Sequence, residues 1–203
     1  MYRIRSQLIH VDANALRPTQ MTYGEREVED KRKKWSKLDK KKRAKSMQEC
    51  LFPAVLGPKR RFFILDHHHL ALALLRESVD EVQVGVVKDL SMLEPAQFWI
   101  YLDHLSYVHP YDENGERRSL ADIPDSFAEM RDDPYRSLAG AVRRKGGFAK
   151  SDAPFLEFLW SNHFRKHVAR SRLTRHFGKA VREGVKLALS AQSSYLPGFC
   201  GER

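Results

Sequence analysis

The spacing of apolar positions divides the chain near residue 90. Before it, short runs of strand character alternate with helical patterns; after it only helical patterns recur. Ser6 to Val11 (SQLIHV) alternates as a short strand does, and Leu16-Arg17-Pro18-Thr19-Gln20 follows as a loop set by Pro18. Tyr23 to Cys50 has no proline and no interior glycine beyond Gly24, with Val28, Trp35, Leu38 and Met47 as sparse apolar marks in a charged background. That spacing predicts one long helix or two shorter ones, with a single narrow buried stripe. Phe52 to Leu56 and Phe62 to Leu65 read as strands joined across Gly57-Pro58-Lys59-Arg60-Arg61, a natural hairpin connection. The pattern then changes abruptly. His68 to Glu77 is strongly helix-forming, with Asp66 as the expected N-cap, and Val82 to Val87 is a further strand.

Beyond Leu90 the character differs. Glu94 to Val108 reads as an aromatic-rich helix, Pro110 to Asp125 as a turn-rich connection, and helices follow at roughly 134–145, 154–169 and 171–192. Pro134 and Pro154 stand where helices begin, and Gly146-Gly147 ends one. No strand is expected after residue 90. The fold class is therefore α/β (α+β): a mixed domain over residues 1–90 and a helical extension over 91–203 packed on it.

A chain of 203 residues with 42% hydrophobic content supports one sizeable core or two small ones. No apolar stretch approaches the roughly 20 residues of a spanning helix, and Met-Tyr-Arg-Ile-Arg-Ser lacks the apolar block of a secretory signal. A cytoplasmic protein without membrane insertion is expected. Cys50 and Cys200 stand in no metal-ligand or redox spacing, so neither a disulfide framework nor a zinc finger is implied and reduced thiols are expected.

Charge changes the picture more. The formal net charge is +10, and residues 31–45 carry ten Lys/Arg against one Asp, while residues 163–186 carry eight against Glu183. These segments hold +9 and +7, so the remainder totals −6. Two basic segments on a mildly acidic protein suit a phosphate backbone, with DNA as the expected partner; the alternative is a pair of solvated helix faces. The DNA-facing candidates are Lys31, Arg32, Lys33, Lys34, Lys40, Lys41, Lys42, Arg43, Arg170, Arg172 and Arg175.

The candidate chemistry lies at Asp66-His67-His68-His69, where a strand gives way to a helix. Helix-start amides attract phosphate, histidines there donate to phosphate oxygens or transfer protons, and a carboxylate beside them holds Mg²⁺ or acts as a base. On residue types alone, a capping Asp66 with two solvent-facing histidines and one packed histidine is an equal alternative.

The order of a Pro/Gln loop, a charged helix, a hairpin and a polar signature opening a helix resembles the ParB/sulfiredoxin superfamily. Leu16 to Gln20 resembles its early proline-glutamine segment. Phe62 to Ala71 lies where partition proteins carry Gly-Glu-Arg-Arg and related free-serine kinases carry Asp-Gly-His-His-Arg. Through Asp66 to His69, Asp132-Asp133-Pro134-Tyr135-Arg136-Ser137-Leu138 and Phe155 to Phe164, the chain resembles the ParB-like nuclease branch in particular. That branch includes plasmid-borne proteins of the fertility-inhibition type. The signature has no cysteine for sulfinic acid reduction and no arginine pair for cytidine triphosphate, and His67 replaces the kinases' glycine, which would crowd a phosphate.

The resemblance implies DNase or ATPase activity, with a divalent metal, Mg²⁺ first, and ATP or another nucleoside triphosphate as cofactors. Asp66 and Glu27 would hold the metal, with Glu25 and Glu29 behind Glu27, whose alternative is a surface pair with Lys31. His67, His68 and His69 would orient water and move protons. Arg17, Thr19 and Gln20, with His68 and His69, would bind phosphate, Arg17 and Gln20 lining the entrance. Two rival functions remain: a non-catalytic module binding DNA or a DNA-handling or conjugation ATPase, and a small-molecule, serine-type kinase.

Weaker features complete the reading. His163 and His167 are four apart on a helix, but Phe164 stands where a zinc protease needs Glu, so surface histidines are expected. Arg136 is expected to meet phosphate or to pack against Asp132 or Asp133. Phe155, Phe158, Leu159, Trp160 and Phe164 are expected to be core. Leu173 to Leu189 has no helix-turn-helix partner before it.

Overall fold

The computed structural model describes residues 7–202, and the four expected strands of the first half join a fifth in one sheet. Its members are β1 (Gln7–Asp12), β2 (Leu16–Arg17), β4 (Leu51–Leu56), β5 (Phe62–Ile64) and β6 (Glu81–Asp89), in the order β1-β6-β4-β5-β2. Ser6, the first residue of the expected strand, lies outside the described residues. β4 and β5 pair antiparallel as the hairpin predicts, β1 pairs antiparallel with β6, and β6 runs parallel to β4. Leu16 and Arg17, expected as loop, pair parallel with Phe62 and Phe63. Two residues before a proline are too few to show a period. β3 (Thr22–Tyr23) lies outside this sheet, next to β7 (Arg131–Asp132), through the Arg131 N–H donated to Met21 O at 3.1 Å. β7 is a strand past residue 90, where none was expected.

The charged segment forms two helices, α1 (Glu25–Ser36) and α2 (Lys40–Glu49). They break at Lys37–Asp39 because Asp39 caps the second: its Oδ1 accepts the Lys42 N–H at 2.8 Å. Val28 and Trp35 are the buried stripe of α1, whereas α2 has no fully buried residue and leans on the core through Met47. Together with α3 (His68–Arg76), α1 covers one sheet face, where Phe52, Ala54 and Ile64 meet Leu72 and Leu74. The pleat sends Val55 and Phe63 to the other face, where α4 (Pro95–His104) adds Phe98 and Leu102. Phe63 and Phe98 ring centroids lie 4.7 Å apart. The first compact unit therefore runs past residue 90, over 1–112 and 116–131; the second comprises 113–115 and 132–203.

The second unit is helical: α5 (Pro134–Arg144), α6 (Leu156–His167), α7 (Arg170–Arg175) and α8 (Phe177–Ala188). The helix expected over 171–192 breaks at His176, whose φ of −142° and ψ of 51° are not helical. The aromatic stripe of α6 is core as expected, apart from exposed Leu159 and half-buried Phe155. Trp160 stacks on Phe148 at 4.2 Å and donates its indole N–H to Pro197 O at 2.9 Å. Among the described residues no helix is long and apolar enough to cross a membrane.

Gly57, at the start of the β4–β5 connection, shows how tightly α4 sits: a Cβ there would lie 2.6 Å from Phe63 and 2.7 Å from Phe98. Gly57→Ala is expected to destabilise the protein by about 1–3 kcal/mol through overpacking. Gly178→Ala, whose Cβ meets only the Arg182 tip at 4.0 Å, is expected to be neutral or slightly stabilising. Urea unfolding of both variants against the parent checks the contrast.

Candidate functional site

β5 ends at Ile64, and the chain turns into α3 within three residues. His67 makes that turn from the left-handed region, at φ 67° and ψ 21°. It, not Asp66, is the N-cap; Asp66 Oδ1 instead accepts the His67 N–H at 2.6 Å and fixes the turn. A side chain in this region costs on the order of 1 kcal/mol, which a glycine would avoid. His67 thus keeps the backbone shape a glycine would give and adds an imidazole. The Asp66 and His67 side chains face solvent, 75% and 47% exposed, with Oδ1 and Nδ1 3.9 Å apart.

His68 and His69 turn inward and are buried. His68 Nε2 accepts the Thr19 N–H at 3.1 Å, and His69 Nε2 accepts the Gly24 N–H at 2.9 Å. A nitrogen that accepts an amide hydrogen carries no proton, so each ring is neutral with its hydrogen on Nδ1. The two histidines clamp both ends of the Thr19–Gly24 segment onto the start of α3. Glu27 Oε2 lies 3.5 Å from the same His69 nitrogen, so the glutamate chosen from the sequence does reach the signature.

The proline-glutamine segment is held on every side. Thr19 Oγ1 donates to Ile64 O at 2.8 Å, Thr19 O accepts the His109 N–H at 2.8 Å, and Gln20 Nε2 donates to Thr22 O at 2.9 Å. Thr19 and Gln20 are buried, and Arg17 folds back to donate to Asn14 O at 2.8 Å and Leu16 O at 3.0 Å. Thr19 and Gln20 thus build the corner from within, while half-buried Arg17 turns back onto its own loop. His109, and Phe127 at 6.0 Å from the His68 ring, are parts that sequence reasoning missed. Both lie in irregular segments with no period to mark them.

The flanking glutamates are engaged elsewhere. Arg76 donates to both Glu25 oxygens, at 2.5 and 3.1 Å, and holds that carboxyl below the usual range. Glu29 pairs with Arg32 at 2.7 Å. Among the described residues no three His, Cys, Asp or Glu side chains converge to hold an ion. With Glu27 turned to His69, an ion at Asp66 would complete its shell from substrate phosphate and water.

The basic run divides by helix. Lys33, Lys34, Lys40 and Lys41 are exposed; Arg32 is tied to Glu29 and Glu77, Lys42 to Asp39, and Arg43 lies over the Trp35 ring at 5.4 Å. Lys31 is half-buried. In the second unit Arg170, Arg172 and Arg175 are exposed, with Arg172 paired to Glu183.

A family model described as "Putative ParB-like nuclease" matches residues 9–166. The chain belongs to this family. The crystal structure of protein Atu1540 from Agrobacterium tumefaciens is similar over 97% of this chain and all of that one, at 41% identity and a TM-score of 0.90. No curated protein matches the chain. The mixed sheet with its helices is thus a ParB-like fold, and the match spans both the histidine corner and the Asp132–Leu138 segment.

In that segment Asp133 caps α5, accepting the Tyr135 N–H at 2.9 Å, and pairs with Arg165 at 2.7 Å. Burial pushes its carboxyl above the usual range against the pull of Arg165. Arg136 is buried beside Glu157, 3.9 Å away, and over the Phe158 ring at 5.3 Å. His163, expected at the surface, is buried: Ser193 Oγ donates to Leu187 O and so accepts from His163 Nε2, while Tyr195 Oη donates to Nδ1 at 3.0 Å.

His67→Gly is expected to leave stability unchanged or raise it by up to about 1 kcal/mol, whereas His68→Ala strands the buried Thr19 donor and is expected to cost about 1–3 kcal/mol, read by chemical denaturation. Burial, with His167 and Lys166 adding to it, lowers the His163 pKa from its ordinary 6.5. The unfolded chain then takes up that proton first, so stability is full above pH 6.5 and falls as the pH drops below it toward the folded value. Unfolding of the parent and His163→Gln at pH 7.5 and roughly 5.5 checks this: the parent is expected to lose more.

Proposed function

We propose that this ParB-like protein hydrolyses phosphate bonds, in DNA first, at the start of α3, with Asp66 and His67 as the reacting pair. The observation that carries the reading is the division within the signature. Asp66 and His67 face solvent beside each other, while His68 and His69 hold the corner's shape. Helix-start amides and the helix dipole favour a phosphate at that place. His67 gives or takes a proton at a phosphoryl oxygen, and Asp66 orients its ring or receives a divalent metal. Mg²⁺, when bound, supplies charge neutralisation at the phosphoryl oxygens. ATP or another nucleoside triphosphate presents the same group. The exposed lysines of α1 and α2 hold the nucleic acid backbone, and the reading puts the protein at DNA in the cytoplasm.

A second reading, non-catalytic binding of DNA or of a DNA-handling or conjugation ATPase, is favoured by the engaged nitrogens of His68 and His69. Half of the signature's polar groups then serve the fold alone.

The test incubates the protein with supercoiled and linear DNA and, separately, with ATP, in Mg²⁺ or EDTA. Because both side chains are exposed, Asp66→Ala and His67→Ala are expected to keep the parent's circular dichroism and to lose about 10²–10⁴-fold in turnover. Activity indifferent to both substitutions sinks the assignment. No turnover with salt-sensitive DNA binding retained leaves the second reading. Transfer of phosphate from ATP to the hydroxyl of free serine instead of water would replace both with a kinase.

A further inference from the structure

In the second unit, an open groove of about 770 Å³ runs between α5 and α8. Its lining is Ala141 and Arg144 from α5 and Lys145, which caps its C-terminus, with Gly178, Val181, Arg182, Val185 and Lys186 from α8. On both helices these positions recur at steps of three and one, the spacing of one helix face. α8 therefore carries two stripes. Ala180, Gly184 and Ala188 are buried against α5, with Gly184 so close that a Cβ would lie 2.7 Å from Val142. Val181 and Val185 form the second stripe, half-buried on the groove side.

We propose that this groove receives an acidic, amphipathic helix from a partner protein. The floor of Ala141, Gly178, Val181 and Val185 is apolar, and the rim is Arg144, Lys145, Arg182 and Lys186 with no carboxylate among the lining residues. A groove bounded by two helices along their i, i+3, i+4 positions accepts a third helix, whose apolar anchors at the same spacing fill the floor. Glutamates flanking those anchors meet the rim, which sets charge and orientation. Glu183, the one acidic residue of α8, is turned away to Arg172. A DNA backbone fits this place poorly, because phosphates would cover an apolar floor and leave it without partners. A second copy fits poorly too, because an isologous contact would set one cationic rim against another. This inference does not depend on the chemistry at Asp66 and His67.

The probe is a synthetic 18-residue helical peptide with leucines at i, i+3, i+4 and i+7 and glutamates flanking them, compared with a scrambled peptide of the same composition. The full chain is titrated with each by fluorescence anisotropy, and the binding site is mapped by amide chemical shifts. The expected result is binding of the ordered peptide only, with shifts centred on 141–145 and 178–186. Arg182→Glu with Lys186→Glu is expected to weaken it at least tenfold. Gly178→Leu, which adds a side chain where a Cβ meets nothing nearer than 4.0 Å, is expected to fold normally and block the groove. Equal binding of the scrambled peptide, or no binding, overturns the proposal. So does tighter capture of laurate, which would make the groove an acyl-anion site. A duplex oligonucleotide that displaces the peptide and ignores Gly178→Leu overturns it as well, making the rim a phosphate surface.

Discussion

Two imidazole nitrogens accepting two backbone amides hold the candidate site together. His68 and His69 are consecutive on α3, so their side chains leave the helix about 100° apart and reach different points of the Thr19–Gly24 segment. A buried amide without an acceptor is costly, and the unprotonated imidazole nitrogen supplies one for each of the two amides. The clamp explains how Pro18 to Met21, between β2 and β3, are held outside any helix or strand. It also explains why the two outward residues come first in the signature: the chain must turn through His67 before α3 can present the two clamps.

Much of this was legible in the sequence. Alternation and the Gly57–Arg61 connection marked the hairpin, helical spacing marked α3, and the resemblance set Glu27 near the signature, where it stands 3.5 Å from His69. The orientation of the four signature residues was not legible. Which histidine packs depends on how the chain enters α3, and a left-handed His67 takes the capping place expected of Asp66 while α3 begins at His68 as expected. Strand patterns before residue 90 and helical ones after it do not separate the units: α4 packs on the sheet because Phe98 meets Phe63, a contact between residues far apart in sequence, and the first unit runs on to residue 131. The burial of His163 likewise rests on Ser193 and Tyr195, some 30 positions on.

The two basic segments, alike in composition, differ in structure. The first spans α1 and α2, where Arg32, Lys42 and Arg43 are tied to Glu29, Glu77, Asp39 or Trp35 and Lys33, Lys34, Lys40 and Lys41 are exposed. The second is divided between the exposed α7 cations and the rim of an apolar groove on α8. A count of charges treats them as one surface. Their neighbours separate a face suited to phosphate from one suited to a mixed acidic and apolar ligand.

The helix with the largest net positive charge is also the one least anchored. α2 has no fully buried residue, and its start depends on the Asp39 cap and on Met47 leaning against the core. A helix with so few buried contacts is expected to open at lower free energy than the sheet core, with earlier amide exchange. Neutralising its lysines on a polyanion removes their mutual repulsion and favours the closed helix, so ligand and helix stabilise each other. A cationic arm of this kind adjusts to the contour it meets, and part of the electrostatic attraction goes into ordering the arm itself.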